Sequence, residues 1–163
     1  MQRQNPKRRH ASLASLAVVV GTLYAGVAMA AALVSAPAVA PGSIPPEQTY
    51  GAINYRMGGI GAAEAQAMRE ISPSYPLTLT FAERAADGRG MFTAGVAVQI
   101  VDASGTLRLD TVAQGPMMLV NLPSGEYTVK AALNGEDKAH ALSLRAGEPS
   151  KLVFVWPAQD GAG

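Results

Sequence analysis

The residues of this chain that could carry acid–base chemistry are few and scattered. There are two histidines, His10 and His140, and no cysteine. A nucleophilic hydrolase needs a nucleophile held by a base, which is most often histidine. His140 stands in an alternating apolar pattern, and no G-x-S-x-G motif occurs anywhere in the chain. The sequence therefore predicts no catalytic residue and no enzyme.

Metal and cofactor motifs are also missing. There is no H-E-x-x-H pair, and the segment that begins at Asp102 lacks the further acids of a calcium loop. The run from Gly58 to Gly61 resembles a phosphate cradle. It lacks the lysine of a P-loop and shows no strand signal before it, so we interpret it as a turn that lets a helix pack closely. We predict no metal and no cofactor.

Two aromatic residues are candidates for ligand contact. Trp156 and Tyr127 could each stack on a sugar ring, which would suit a carbohydrate-binding protein. Both also fall on the apolar phase of an alternating pattern, which is typical of core positions. The sequence leaves both interpretations open.

The distribution of charge bears on partners. The chain has 13 basic and 12 acidic residues, and four of the basic residues lie before position 40, where there is no acid. The remainder is mildly acidic, and its basic residues are scattered. Nucleic-acid binding needs clustered lysine and arginine, so we expect no nucleic-acid partner.

Residues 1–40 have the pattern of an export signal. Lys7, Arg8 and Arg9 precede an uncharged apolar stretch that ends in small-residue sites such as Ala28-Met29-Ala30. The prediction is a cleaved signal peptide and a periplasmic or secreted protein. The alternative is a retained anchor, because about 20 apolar residues can span a bilayer, and only then do we expect a membrane contact.

The rest of the chain reads as a linker at 41–59, a short helix and then strands. Residues 62–71 are strong helix formers with apolar residues at helical spacing, and Pro73 and Pro76 end them. After that the apolar period becomes two, which predicts seven mainly antiparallel strands. They fall at 77–81, 92–100, 107–109, 118–122, 127–133, 142–144 and 152–156.

Turns and core follow from the same pattern. Asn134-Gly135 is typical of a type I′ hairpin, and the segment from Asp102 to Gly105 is typical of a type I turn. The predicted core lies on the apolar phase of the strands. It consists of Phe92, Val96, Val98, Ile100, Leu122, Tyr127, Val129, Phe154 and Trp156.

The segment 115–129, with Asn121-Leu122-Pro123-Ser124-Gly125-Glu126-Tyr127-Thr128-Val129 at its end, resembles the carboxypeptidase regulatory-like family. The resemblance covers about 92–156. It implies a seven-stranded, transthyretin-like β-sandwich with one short N-terminal helix and supplies no catalytic residue. It departs from the family pattern at Val112, where an acid often follows the threonine that is Thr111 here. Residues 58–81 also resemble the front of small proteobacterial periplasmic proteins that carry this domain.

The expectation is therefore a helix and sandwich at 60–157, followed by a flexible tail at 158–163. The functional hypothesis is an exported, non-catalytic accessory protein of the cell envelope that binds a partner protein. The alternative hypothesis is a carbohydrate-binding module for envelope or extracellular glycans, with Trp156 or Tyr127 at its surface. Exposed aromatic residues in a row would favour the glycan, and an exposed apolar edge strand would favour the protein.

Overall fold

The structure is a computed structural model, and it describes residues 43–159. The predicted signal at 1–40, residues 41–42 and the end of the tail at 160–163 lie outside the described residues. The described part is mainly β with one short α-helix, as predicted. Its elements are β1 (Gln48–Tyr50), β2 (Ile53–Gly58), α1 (Ala62–Ile71), a 3₁₀ turn (Ser72–Ser74), β3 (Leu77–Arg84), β4 (Gly90–Phe92), β5 (Val96–Asp102), β6 (Leu107–Ala113), β7 (Met117–Asn121), β8 (Gly125–Leu133), β9 (Glu136–Leu144) and β10 (Ser150–Pro157).

The strands form two sheets. The larger sheet has the order β1-β2-β7-β3-β10, with β4 paired to the end of β3, and the smaller has the order β6-β5-β8-β9. Every strand pair is antiparallel except β3 with β10, which is parallel. The prediction of an antiparallel sandwich is wrong at that pair. The reason is that β10 reaches β3 from the smaller sheet instead of through a hairpin.

The structure has ten strands among the described residues where the sequence analysis expected seven. Residues placed in the linker at 41–59 form β1 and β2, which pair with each other, and β2 also pairs with β7. The long strand expected at 92–100 is two strands, β4 and β5. Gly95 between them has φ 78°, a left-handed conformation that ends the extended backbone.

The core lies between the two sheets and largely confirms the prediction. Eight of the nine predicted residues are buried: Val96, Val98, Ile100, Leu122, Tyr127, Val129, Phe154 and Trp156. Phe92 is the error, because its side chain is 67% exposed. Its cross-strand partner is Ala82, on the side of β3 that faces away from the core, so the phase of alternation changes at Gly95.

Helix α1 packs on the outer side of the larger sheet, the side opposite the core. Met68 of the helix contacts Met117 and Leu119 of β7 in a small second cluster. Two segments of the chain approach each other closely near this cluster, because Gly115 lies directly against the backbone of Gly58. The predicted turns are present: Asn134 and Gly135 have φ of 52° and 82°, and the Gly105 amide donates to the Asp102 carbonyl at 2.9 Å.

Candidate functional site: an apolar face of the larger sheet

The two aromatic residues proposed as ligand contacts are in the core. Trp156 is 2% exposed and its indole N–H donates to the Glu136 carbonyl at 3.0 Å. Tyr127 is 7% exposed and its hydroxyl donates to the Pro123 carbonyl at 3.0 Å. Neither ring offers a face to a sugar in this structure. The core interpretation of both residues is the one that the structure supports.

His140 lies on β9, an outer strand of the smaller sheet, and is exposed. Its ring meets the edge of Phe154 in a T-shaped contact with centroids 5.0 Å apart. Across residues 43–159, no group of three or more histidine or acidic side chains is placed to hold a metal ion.

The glycine-rich segment before α1 follows a strand, β2, that the sequence analysis did not expect. Its amide groups are nevertheless occupied from within the chain. The Glu64 carboxylate accepts from the Gly59 amide at 2.7 Å and from the Ile60 amide at 3.1 Å. A carboxylate at this position satisfies the donors and the positive end of the helix. The predicted close packing turn is what the structure shows.

The outer side of the smaller sheet carries a shallow trough of about 480 Å³. Its floor includes Ala97, Ala132 and Ala139, and its polar groups include Lys130 and a hydrogen bond of 3.1 Å from Gln99 to Asp110. No aromatic ring is among the described residues that line it. The trough therefore lacks the stacking platform that motivated the glycan hypothesis.

The larger sheet has a different outer side. Helix α1 covers its β7 part, and beyond the helix the strands β3, β4 and β10 are open. Across these strands Val155, Ala82 and Phe92 are direct neighbours in register, and Val153 lies beside Thr80 in the next row. Val153 is 58% exposed and Phe92 is 67% exposed. We call Ile60, Ala82, Phe92, Val153 and Val155 the apolar face.

A groove between α1 and β4 extends this face toward the helix. Its volume is about 510 Å³, and Ile60 on its rim is 65% exposed. Ala62, Ala65, Ala94 and Pro116 line it together with Phe92, and Arg69 is its charged group. Large apolar side chains exposed together are characteristic of interaction sites.

The apolar face could not be predicted from the sequence because it depends on which strands are neighbours. Alternation alone placed Phe92 in the core, and Ile60 was read only as part of a glycine-rich turn. The edge position of Val153 depends on which strand β10 joins, and that pairing is not local in sequence. A signal for β2 was present, since Ile53, Tyr55 and Met57 alternate and all three are buried.

Comparison with known proteins gives little. No family model matches the chain, and no curated protein matches it. Among solved structures, it is similar to the dioxygenase domain of a dioxygenase carbohydrate-binding protein fusion from the cellulolytic bacterium Streptomyces sp. SirexAA-E. The identity is 14% and the TM-score is 0.30, with 71% of this chain and 99% of that chain covered. A likeness of that size carries no argument about function. Within residues 43–159, no helix has the length and apolar character needed to cross a bilayer.

Proposed function

We propose that this chain is an exported, non-catalytic accessory protein of the cell envelope that binds a partner protein through the apolar face. The observation that carries the proposal is the joint exposure of Ile60, Phe92 and Val153, each between 58% and 67% exposed. The occupant is a partner protein with apolar side chains, since the face is broad, its groove has one charged lining residue, Arg69, and the charges of Lys151 and Arg84 lie at its border.

Export is part of the proposal. The basic start, the apolar middle and the small-residue sites of residues 1–40 support it. Removal of the leader between about Ala30 and Ala40 would release the domain into the periplasm or the medium. N-terminal sequencing of the protein from the envelope fraction tests this. A start at Met1 in the membrane fraction would contradict cleavage and support the anchor.

We further propose descent from the carboxypeptidase regulatory-like, transthyretin-like sandwiches. The support is the corner after β7, where Leu122 is buried, Pro123 and Gly125 make the turn, and the Tyr127 hydroxyl closes it on the Pro123 carbonyl. This hydrogen bond resembles the tyrosine corner of other sandwiches, in which a core tyrosine bonds back to the preceding loop. The additional strands β1, β2 and β4 are then additions to the family plan.

We propose that the protein has no catalytic turnover because of where its reactive side chains lie. His140 packs on Phe154 at the side of the sandwich between β9 and β10, and its neighbours on the same side of β9 are Lys138 and Leu142. A base of this kind needs a nucleophile within hydrogen-bonding reach. Assay of the purified protein on ester, peptide and glycan substrates tests this point, with His140→Ala as the variant that must abolish any turnover attributed to it.

The binding proposal is tested by site-specific crosslinking in cells. A photoreactive phenylalanine analogue is placed at Phe92 in the apolar face and, in a matched control, at Val112. Val112 is 53% exposed on β6 of the other sheet, so it reports the background of an exposed apolar position. We expect a discrete crosslinked protein at Phe92 and none at Val112. Equal crosslinking at the two positions, or none at Phe92, would contradict a partner at this face.

A further inference from the structure

We propose that the free edge of β10 accepts an extended strand of the partner protein, which continues the larger sheet by one strand. The inference rests on the proposed function and deepens it, because it names the partner's chemistry: an extended segment with alternate apolar residues and an acidic residue near its C-terminal end.

The backbone hydrogen bonds of β10 leave every second residue free. The Ser150 amide donates to the Pro76 carbonyl at 2.9 Å, and the Ala158 amide donates to the Arg84 carbonyl at 2.8 Å. In a parallel pair the residues of one strand alternate between facing the partner and facing away. Lys151, Val153 and Val155 therefore direct their amide and carbonyl groups away from β3. No other strand of the described chain pairs with this edge.

The other sheet edges in residues 43–159 are less suitable for a new strand. β1 and β4 have only three residues each. β6 carries Arg108 and Asp110, and its pairing with β5 contains a register shift. β9 begins with three consecutive charged residues, Glu136–Lys138. Charges on an edge are the usual protection against strand pairing. Over the eight residues of β10, Lys151 is the sole charge.

The edge is continuous with the apolar face. The outward side chains of β10 are Lys151, Val153 and Val155, and the last of these is in register with Ala82 and Phe92. An added strand would place its own alternate side chains next to Val153 and Val155. Cross-strand apolar pairs of this kind stabilise a sheet. Backbone pairing supplies affinity in such complexes, and the alternate side chains supply specificity.

Lys151 decides between a partner strand and a second copy. Two copies of β10 paired with each other would bring two lysines and no acid to the new interface. A partner strand with an acidic residue opposite Lys151 gains an ion pair instead, so charge complementarity favours a different protein. An antiparallel partner places that acid near its C-terminal end, since Lys151 is near the start of β10.

The test uses hydrogen exchange on the exported chain with a defined peptide, Val-Thr-Val-Thr-Val-Thr-Glu-Thr. Without peptide, we expect the amides of Lys151, Val153 and Val155 to exchange rapidly, while those of Leu152 and Phe154 are protected. With peptide, the exposed set should become protected. Protection of that set in the absence of peptide that rises with protein concentration would identify a second copy as the occupant and overturn the proposal.

Two modified peptides give matched controls. Methylation of the amide nitrogens of the second and third valines removes donors that face β10 and should abolish protection. Methylation of the first and second threonine nitrogens affects donors on the far side and should leave binding intact. Equal binding of the two modified peptides would overturn strand addition, because backbone pairing would then play no part.

Variants of the protein complete the test. Val153→Pro removes an outward amide, a change that edge strands tolerate, and should weaken peptide binding about tenfold. Lys151→Glu changes only an exposed charge. It should weaken binding of the peptide that contains glutamate and strengthen binding of the same peptide with lysine in place of that glutamate. If neither variant alters peptide binding while crosslinking at Phe92 persists, strand addition fails and the proposed function stands. Absence of the crosslink at Phe92 would contradict the proposed function itself, whatever the result with the peptides.

Discussion

The indole N–H of Trp156 donates a hydrogen bond of 3.0 Å to the carbonyl oxygen of Glu136. This bond joins β10 of the larger sheet to the start of β9 in the smaller one. Around it, the Lys138 ammonium lies 6.0 Å from the centre of the indole ring, and His140 meets Phe154 edge-on. The side of the sandwich between β9 and β10 is thus closed by aromatic rings and the residues that bond to them.

The bond itself should be measurable through Trp156→Phe, which keeps a ring in the core and removes the donor. We expect a loss of about 1–3 kcal/mol in the free energy of unfolding, from the hydrogen bond and the smaller ring. Urea denaturation of the two proteins measures it. Phe154→Ala serves as a reference for a full loss of ring packing, at about 3–5 kcal/mol. A Trp156→Phe protein as stable as the parent would show that the Glu136 bond contributes nothing.

Thr78 offers a stabilising change. Its side chain is 4% exposed, and its hydroxyl has no hydrogen-bond partner among the described residues. A buried, unpaired hydroxyl costs free energy that valine of similar shape does not. Thr78→Val should therefore raise the free energy of unfolding by about 1 kcal/mol. Thr80→Val, on the same strand where the side chain is half-buried, should change it less. A destabilised Thr78→Val protein would mean that the hydroxyl is satisfied in solution.

Gly115 should not tolerate a side chain. A Cβ at this position would stand 2.9 Å from the Gly58 Cα and closer still to its carbonyl oxygen, so backbone would have to move. We expect Gly115→Ala to cost at least about 1–3 kcal/mol in a thermal or urea melt. Gly90→Ala is the matched control, because a Cβ there meets nothing within 4 Å. Equal melting temperatures for both variants would refute the close approach.

We expect the carboxylate of Asp102 to make the stability of the fold depend on pH. A hydrogen bond of 2.6 Å from the Ser104 hydroxyl is the largest cause that lowers the pKa of Asp102. Burial acts in the opposite direction and is the second-largest effect, while the Thr106 and Ser104 amides and the Arg108 charge add smaller lowering effects. Because the pKa of Asp102 is lower in the folded state than in the unfolded state, the ionised carboxylate stabilises the fold at pH values above the unfolded-state pKa. This stabilisation is lost as the pH falls through the folded-state pKa.

The difference in melting temperature between the parent and Asp102→Asn should therefore be largest near neutral pH and narrow in acid, below the ordinary carboxyl range. Ser104→Ala removes the largest cause of the shift and should reduce the same pH-dependent difference. A difference that stays constant from neutral to acid pH would contradict the assignment.

Local patterns were enough to predict much of the fold. The helix has the predicted bounds, Ala62–Ile71, because strong helix formers and the prolines after it act within a few residues of each other. The hairpin at Asn134-Gly135 depends only on the backbone freedom of two positions. The buried phase of β5 and β8 follows from alternation, since each has one side against the core.

What could not be predicted depends on residues far apart in the chain. Alternation shows which residues of a strand share a face but not which strand is its neighbour, so the sequence did not predict the parallel pairing of β3 with β10. The exposure of Phe92 follows from the short pairing of β4 with Ala82 and the left-handed Gly95. Trp156 has the same apolar phase whether it serves a core or a ligand, and only its neighbours Glu136 and Phe154 distinguish the two.

The parallel pairing of β3 with β10 has a consequence for how the chain acquires its structure. It pairs Phe81 with Phe154. The chain between these two strands contains β7, which lies under the helix, and every strand of the smaller sheet. Closing so long a loop is entropically costly and slows folding. During synthesis from the N-terminus, one flank of β3 stays open until the residues around Phe154 have been made. We therefore expect the pairing of β10 with β3 to be a late step of folding, and until it occurs the cluster of rings formed by Phe81, Phe154 and Trp156 cannot assemble.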